Sequence, residues 1–505
     1  MAVAPAHEKT GMSTQARPVG QWLTCDAQGI VARRGEQLFT RQQWQRDIVS
    51  LGQRLLSHSQ QRWALCFEES YLFSVALMAT LHAGKIPVIP GHCRESLLQE
   101  QSSEFDAVLT DIALTLDCHI ITLTAAGPEA GLADDAGADA LACATFSDVA
   151  DVNPTGEAEL AGDIGKVSST QADSRPARLP SLPAISPHAF IVLFTSGSTG
   201  APRQIVKPVS CLDEEARWLA ERWGQRLQGC TVIASVTHQH LYGLTFRIIL
   251  PLALGLVFDS RQVFYSEQLS AQDASLRLAL ISSPAFLRRL DRSLAAPDCR
   301  FIVSAGGELT GSAARQVREW LQQPVDEIYG STETGVLATR TRTCESELWQ
   351  PFSRVILSQD QQQRWWARSP LIPEEQGLRL DDKLEFNAGK FRLCGRYDRI
   401  VKIEDKRVSL SEIERRLLAL PQVTDAVALS VSRPERSGIG VVLVLDADYG
   451  EKALAELKRQ WRHELHRWLE PVAMPRYWRI VKAIPHNSQS KRAWPQIQEL
   501  FYAAR

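Results

Sequence analysis

No two of the ten cysteines are spaced C-x-x-C; they are scattered singly from Cys25 to Cys394. That distribution argues against a zinc knuckle or a disulfide framework, and the thiols read as reduced, mostly buried, small apolar residues. Apolar runs of the ~20 residues that cross a bilayer are missing as well, so no membrane span is expected. The polar N-terminus has no charged-then-apolar leader pattern, which makes a cytoplasmic location the expectation. Charge of one sign is also lacking: 56 Lys and Arg face 58 Asp and Glu, a formal net charge of -2. Nucleic acid is therefore not an expected partner, because no global basic excess exists to neutralise phosphates. Finally, the G-x-x-x-x-G-K-[ST] spacing of a Walker loop is absent, which removes the P-loop nucleotidases.

What remains is a chain of 505 residues, 44% apolar and 23% charged, the composition of a soluble globular protein. Its length predicts two or three domains. Thr40 and Gln43 read as a capping-box start for a helix through about Leu56; 63–67 reads as a strand, 71–82 as a helix stopped by Gly84, and 85–89 as a strand. Similar alternation continues through 231–234, 246–254, 277–281 and 301–304. Strands separated by helices imply an α/β fold of mostly parallel sheets flanked by helices, with ligands beyond the carboxyl ends of the strands. Residues 127–187 carry ten acids against three bases and much Ala, Gly, Ser and Pro. They read as a loosely structured acidic insertion or linker. Between Glu451 and Arg505 eleven bases face five acids, so the C-terminal end is the basic end.

The densest chemical signal is the run from Phe194 through Thr195, Ser196, Gly197, Ser198, Thr199 and Gly200 to Arg203, directly behind the apolar strand expected over 189–194. Glycines let backbone N–H groups turn toward an anion, and the hydroxyls add donors around its oxygens. Alone, such a run is more often an ordinary loop. Three later segments keep it company. Tyr329, Gly330, Ser331, Thr332 and Glu333 end an apolar strand in a turn with an aromatic ring, hydroxyls and a carboxylate suited to magnesium on a nucleotide. Asp381 and Asp382 precede an alternating strand over 383–386, and Arg396 and Asp398 lie ahead of a short hairpin at Glu404, Asp405 and Lys406 and a helix expected to start at Ser411. Lys491 sits in a polar turn six residues after Pro485.

In this order the four segments resemble the acyl-adenylate-forming superfamily of acyl- and aryl-CoA ligases, nonribosomal adenylation domains and luciferase, over roughly Gln21 to Trp494. The resemblance implies a flexible segment 1–20, a large adenylating domain 21–394 and a small, mobile α+β domain 395–505 that rotates between two half-reactions. ATP and a carboxylic acid give acyl-AMP and pyrophosphate; a thiol then displaces AMP. The cofactors implied are ATP and Mg2+. By the same resemblance, Thr195 to Gly200 and Arg203 hold phosphate, and Tyr329 to Thr332 hold adenine and the α-phosphate. Glu333 takes the metal, Asp382 holds the ribose with help from Arg396, Asp398 is the hinge, and Lys491 bridges the reacting carboxylate and the α-phosphate. His240 resembles the residue bordering the acid, in a pocket expected to include Tyr242, Gly243, Ala305, Gly306 and Gly307. Catalysis is assigned to Lys491, Thr332, Glu333 and His240.

The partners implied are a small carboxylic acid and a pantetheine thiol, on an acyl carrier protein or on CoA. Small residues at 305–307 favour an aryl or unsaturated acid; a medium-chain fatty acid is the alternative. Several positions depart from the pattern: Arg203 and Gln204 replace lysine and glycine, Asp381 replaces the glycine before the ribose aspartate, and Asp405 and Ser490 replace glycines. The alternative of another class is a catalytically silent nucleotide- or acid-binding relative, in which these glycine losses would mark decay.

Overall fold

A computed structural model of the chain describes residues 15–125, 145–149, 181–196, 202–343, 347–403, 406–432, 438–469, 471–487 and 492–502. Two mostly parallel sheets carry the larger part. The seven-stranded sheet has the order Thr145–Val149, His119–Thr124, Ala107–Thr110, Arg62–Cys66, Ile86–Ile89, Phe190–Ser196 and Pro202–Pro208, with an antiparallel strand at each edge. The nine-stranded sheet runs Gln350–Pro351, Gly335–Arg342, Val325–Ser331, Cys299–Ser304, Leu278–Ser282, Thr231–Ala234, Val257–Gln262, Ile30–Arg34 and Gln37–Thr40. Its neighbours are parallel from Val325–Ser331 to Ile30–Arg34 and antiparallel outside that block.

Helices join the sheets into one core. The helix Arg41–Ser57 starts on Thr40, whose side chain accepts from the Gln43 N–H at 3.1 Å, and buries Trp44, Ile48, Leu51 and Leu55 along one stripe. Beside it, Ser70–His82 is buried all round, as a helix must be when both sides are walled by protein. It touches Arg62–Cys66 and Ile86–Ile89 of one sheet and Val257–Gln262 of the other. Apolar side chains of both sheets, among them Leu65, Ile89, Leu193, Phe258, Ile281 and Phe301, consequently share a single cluster.

Two separate apolar clusters form beyond residue 400, one on each face of a three-stranded sheet. The strands Val423–Val431 and Gly438–Leu445 pair antiparallel, and Pro475–Ile480 adds parallel to the second. Strand alternation assigns the two faces. Ala426 and Ala428 meet Ile413 and Leu417 of helix Leu410–Leu418 and Trp461 and Leu465 of helix Glu451–Leu465, while Val427, Leu429 and Val431 meet Ile497 and Phe501 of helix Trp494–Tyr502.

Two expectations change. The acidic segment read as a loose linker carries the edge strand Thr145–Val149, and Leu182 packs so closely on Gly52 that a Cβ there would lie 2.5 Å from its Cδ1. The helix expected to begin at Ser411 begins at Leu410, capped by Ser409, whose hydroxyl accepts from the Glu412 N–H at 3.3 Å. Either serine suits a cap; the hairpin strand Lys406–Ser409 ends where the extended backbone needed for capping is available, at Ser409. No helix among the described residues is long and apolar enough to cross a membrane.

Candidate active site

The hydroxyl-rich run begins at the carboxyl end of the strand Phe190–Ser196, which lies next to the edge strand of the seven-stranded sheet. Phe190–Ser196 turns back antiparallel into Pro202–Pro208, pairing Thr195 with Arg203, and the Thr195 hydroxyl donates to the Arg203 carbonyl at 3.4 Å. Arg203 is exposed. Gly197, Ser198, Thr199 and Gly200 lie outside the described residues, as does the side chain of Ser196.

The second loop is also a hairpin, formed by Val325–Ser331 and Gly335–Arg342. Its turn is closed by reciprocal bonds: the Ser331 N–H donates to the Thr334 hydroxyl at 3.0 Å and the Thr334 N–H to the Ser331 hydroxyl at 3.2 Å. A Cβ on Gly330 would lie 2.1 Å from the Gly335 carbonyl oxygen, and Gly335 has φ +66 with no room for a side chain beside Glu215 and Leu371. Only glycines allow this return. Thr332 and Glu333 are held half-buried at its tip. Just below, the Tyr329 ring packs edge-on against Phe391 and its hydroxyl donates to Asp382 at 2.8 Å. Burial, followed by the Asp382 carboxylate, pushes the Tyr329 phenol far up, so it stays a donor. Arg396 donates to the neighbouring carboxylate, Asp381, at 3.1 Å, and Asp382 pairs with Arg396 in the strand register.

A cavity of about 170 Å³ connects these loops with the expected acid pocket. Thr195, Gly330, Ser331 and Thr332 form one part of its wall; His240, Tyr242, Gly243, Ala305 and Gly306 form another. Gly307 does not line it; a Cβ there would instead face Pro284 at 3.8 Å. The segment containing His240 is shaped by backbone contact. His240 precedes the helical turn Leu241–Leu244, which passes through a π turn at Thr245–Ile249 before Leu250–Leu254. Gly243 presses against Thr237, where a Cβ would lie 1.9 Å from the carbonyl oxygen. The Tyr242 hydroxyl is 3.0 Å from both the Ser282 and Val303 carbonyls, so it bonds the ends of two strands and presents its ring to the cavity. Burial pushes that phenol well up.

Several wall residues were not among the expected site residues, though Phe194 opens the hydroxyl-rich run. Phe194, Val236, Phe246, Ile328 and Val336 supply apolar surface, and Gln262 is held by its amide donating to the Ser235 carbonyl at 2.9 Å. Ser283 also lines the cavity, its buried hydroxyl without a partner among the described residues. Two buried charges lie behind the second hairpin. Lys207 donates to the Glu333 carbonyl at 2.9 Å and to that of Leu371 at 3.4 Å; Glu215 accepts from the Val336 N–H at 2.8 Å and the Thr245 hydroxyl at 2.6 Å. Burial pushes the Lys207 ammonium down and the Glu215 carboxyl up, each opposed by the other's charge. Neither stood out in the sequence, where a lone charge among polar neighbours reads as surface.

Lys491 lies outside the described residues, as do Asp405, Ser490 and the side chain of Asp398. The backbone of Asp398 is in the single 3-10 turn Tyr397–Arg399, between the strands Lys390–Arg396 and Ile400–Ile403. Arg492, next to Lys491 in sequence, donates to Asp425 at 2.8 Å, and Asp425 is also 3.4 Å from Arg288 of the larger part of the chain.

A family model described as AMP-binding enzyme matches residues 23–356. A 4-coumarate–CoA ligase of Rhodobacter capsulatus is 28% identical over 318 residues, covering 62% of this chain and 77% of that one. Among solved structures, an ATP-bound RpMatB-BxBclM chimera superposes with a TM-score of 0.72 at 16% identity, over 96% of this chain and 98% of the other. The anthranilate CoA ligase AuaEII in complex with anthranoyl-AMP gives 0.71 at 15% identity, over 97% and 99%.

Proposed function

The chain belongs to the AMP-binding enzyme family, and from that premise we propose that it is an AMP-forming ligase that joins a ring-sized monocarboxylic acid to a pantetheine thiol. One observation carries the reading: a single cavity runs from Thr195 at the root of the first hairpin, past Thr332 of the second, to His240 and the apolar wall. An acid in that cavity faces the place where nucleotide phosphate is expected. In this reading Asp382, oriented by Tyr329, accepts from the ribose hydroxyls; Thr332 donates to the α-phosphate; His240 borders the reacting carboxylate; and Lys491 stabilises the charge that builds as carboxylate and phosphate approach. Asp398 is the hinge between a large domain, 21–394, and a small one, 395–505.

Magnesium fits the donor set. Among the described residues no group of three or more His, Cys, Asp or Glu is arranged to hold a metal, and a nucleotide-bound magnesium asks only for one or two carboxylates, here Glu333 beside Thr332. When bound, it would offset phosphate charge. ATP fits the same two hairpins.

The cavity also supports a class of acid. An engineered apolar cavity of about 150 Å³ takes benzene, so the volume here suits one ring better than a long chain. Among the described residues its lining includes one carboxylate, Glu215, and no lysine or arginine, so a second carboxylate at the acid end would meet no cation from them. The Rhodobacter capsulatus relative is a 4-coumarate–CoA ligase by name, and an aryl or unsaturated monoacid is the reading favoured for this chain; a medium-chain fatty acid is the second. For the acceptor, an acyl carrier protein is favoured over free CoA. Asp405 replaces a glycine where the resemblance places the pantetheine tunnel, and would repel the phosphorylated end of CoA, whereas the basic stretch from Glu451 to Arg505 suits an acidic carrier.

ATP–pyrophosphate exchange over a panel of aryl, cinnamyl, fatty and dicarboxylic acids tests the first half. Exchange should be strongest with one-ring monoacids and lacking with dicarboxylates; no exchange with any acid would leave a silent binding protein. Thioester formation with the best acid should be faster on carrier protein than on CoA and should slow as salt rises. Faster, salt-insensitive transfer to CoA would reverse the choice of acceptor.

A further inference from the structure

Lys207 and Glu215 are opposite charges that attack of a carboxylate on phosphate does not itself call for, yet they are only 2% and 3% exposed. Lys207 belongs to the strand Pro202–Pro208, the return strand of the first hairpin; Glu215 belongs to the helix Val209–Leu227 that follows it. Both point at the second hairpin, more than a hundred residues on. The ammonium takes the carbonyl of Glu333, inside the turn, and of Leu371, on the segment packed behind it. The carboxylate takes the N–H of Val336, just past the turn, and is braced by the Thr245 hydroxyl from the π turn of the acid wall. A Cβ at Gly335 would come within 2.9 Å of a Glu215 oxygen and 3.0 Å of Leu371, so the turn rests directly on these groups.

We propose that Lys207 and Glu215 are positioning residues for adenylation, pinning the turn that carries Thr332 and Glu333 from both sides and tying it to the strand that returns from the phosphate hairpin. The proposal rests on the adenylation reading above. The arrangement makes mechanical sense for it. Two hairpins from different sheets must hold one triphosphate, so the relative placement of their tips depends on groups that reach from one to the other. A bond from a buried ammonium to a backbone carbonyl fixes the turn whatever side chains it carries, and burial within a low-dielectric wall strengthens such a charge-assisted bond. Glu215, by touching Val336 and Thr245 together, also links the turn to the wall against which the acid lies. Lys207 does not line the cavity; Glu215 does, and its two hydrogen bonds both go to protein groups.

The discriminating variant is Lys207→Met, close in shape but without a donor. Displacements of about 1 Å in a reacting geometry cost on the order of a hundredfold, so kcat for pyrophosphate exchange should fall by about that factor, with the KM for the acid changed by less than about threefold. ATP affinity, measured by calorimetry without any acid, should weaken by about tenfold. Lys207→Met also strands the Glu215 charge in the interior, which lowers stability for a reason unrelated to positioning. The double variant Lys207→Met/Glu215→Gln removes that stranded charge, and its thermal midpoint should return toward the wild type while kcat and ATP affinity stay low. Recovery of kcat together with the midpoint would reduce the pair to a stability role and overturn the proposal, as would a folded Lys207→Met with wild-type kcat and ATP affinity. If the single variant does not fold, the double variant decides alone. Should the wild type bind ATP but exchange pyrophosphate with no acid, the adenylation reading fails by itself, and the ATP affinities of the same variants still judge the clamp.

Discussion

Lys491 is six residues past Pro485 in a run of polar residues, and in the proposed reaction it is the cation that meets charge as it develops rather than charge already present. Its removal should therefore fall on one half-reaction. Lys491→Ala should lower pyrophosphate exchange on the order of a hundredfold to a thousandfold, while transfer to thiol from supplied acyl-adenylate suffers much less. Equal losses in both steps would remove the role. Tyr329 shows a different kind of residue effect: its hydroxyl, kept protonated by burial, is bound to Asp382 rather than presented to solvent. That bond distinguishes Asp382 from Asp381, which carries the Arg396 contact and is more exposed.

At the scale of elements, the two hairpins and the interrupted helix from Leu241 to Leu254 make the site. The helix is placed by contact of backbone with backbone, since Gly243 lies against Thr237 with no space for a Cβ. Gly243→Ala should push the turn off the strand end, costing about 1–3 kcal/mol of stability as overpacking does. Because His240 and Tyr242 flank it, the KM for the acid should rise, whereas ATP affinity should hold. A variant whose acid KM is unchanged would show that this turn does not shape the pocket. The hairpin Val325–Ser331 with Gly335–Arg342 was legible as strand and turn from its residues, but what holds the turn was not. Lys207 and Glu215 reach it from a strand and a helix far away in sequence, and no local pattern distinguishes a lysine that will be buried from one that will be solvated.

Across the whole molecule, separate apolar clusters lie before and after the turn Tyr397–Arg399, and the contact of Arg288 with Asp425 is a polar one between them. Asp425 is shared: Arg492 holds it bidentately, and despite burial that bond keeps its carboxyl below the usual range. Such a joint is suited to forming and breaking, unlike a dry apolar seam. If the chain turns about Asp398, Asp398→Pro, which fixes φ near about -65°, should impair one half-reaction and leave the other. Both measured at wild-type rates would place the hinge elsewhere.

The sequence by itself determined the element order and the chemistry of the loops. Thr40 caps its helix because capping is a contact between residues three apart, and the strand expected over 189–194 and the turn around Ser331 follow from apolar runs broken by glycine and hydroxyl residues; all of these are local. The tertiary structure decided what local rules do not see. It made Thr145–Val149 an edge strand, because a sheet edge offers backbone partners to a segment whose own composition argues for none. It started the helix at Leu410, capped by Ser409, instead of at Ser411, through the length of a hairpin strand, and left Gly307 outside the cavity that Ala305 and Gly306 line. It also set Lys207 and Glu215 against the second hairpin, since burying a charge is tolerated only where distant backbone groups are already arranged to receive it.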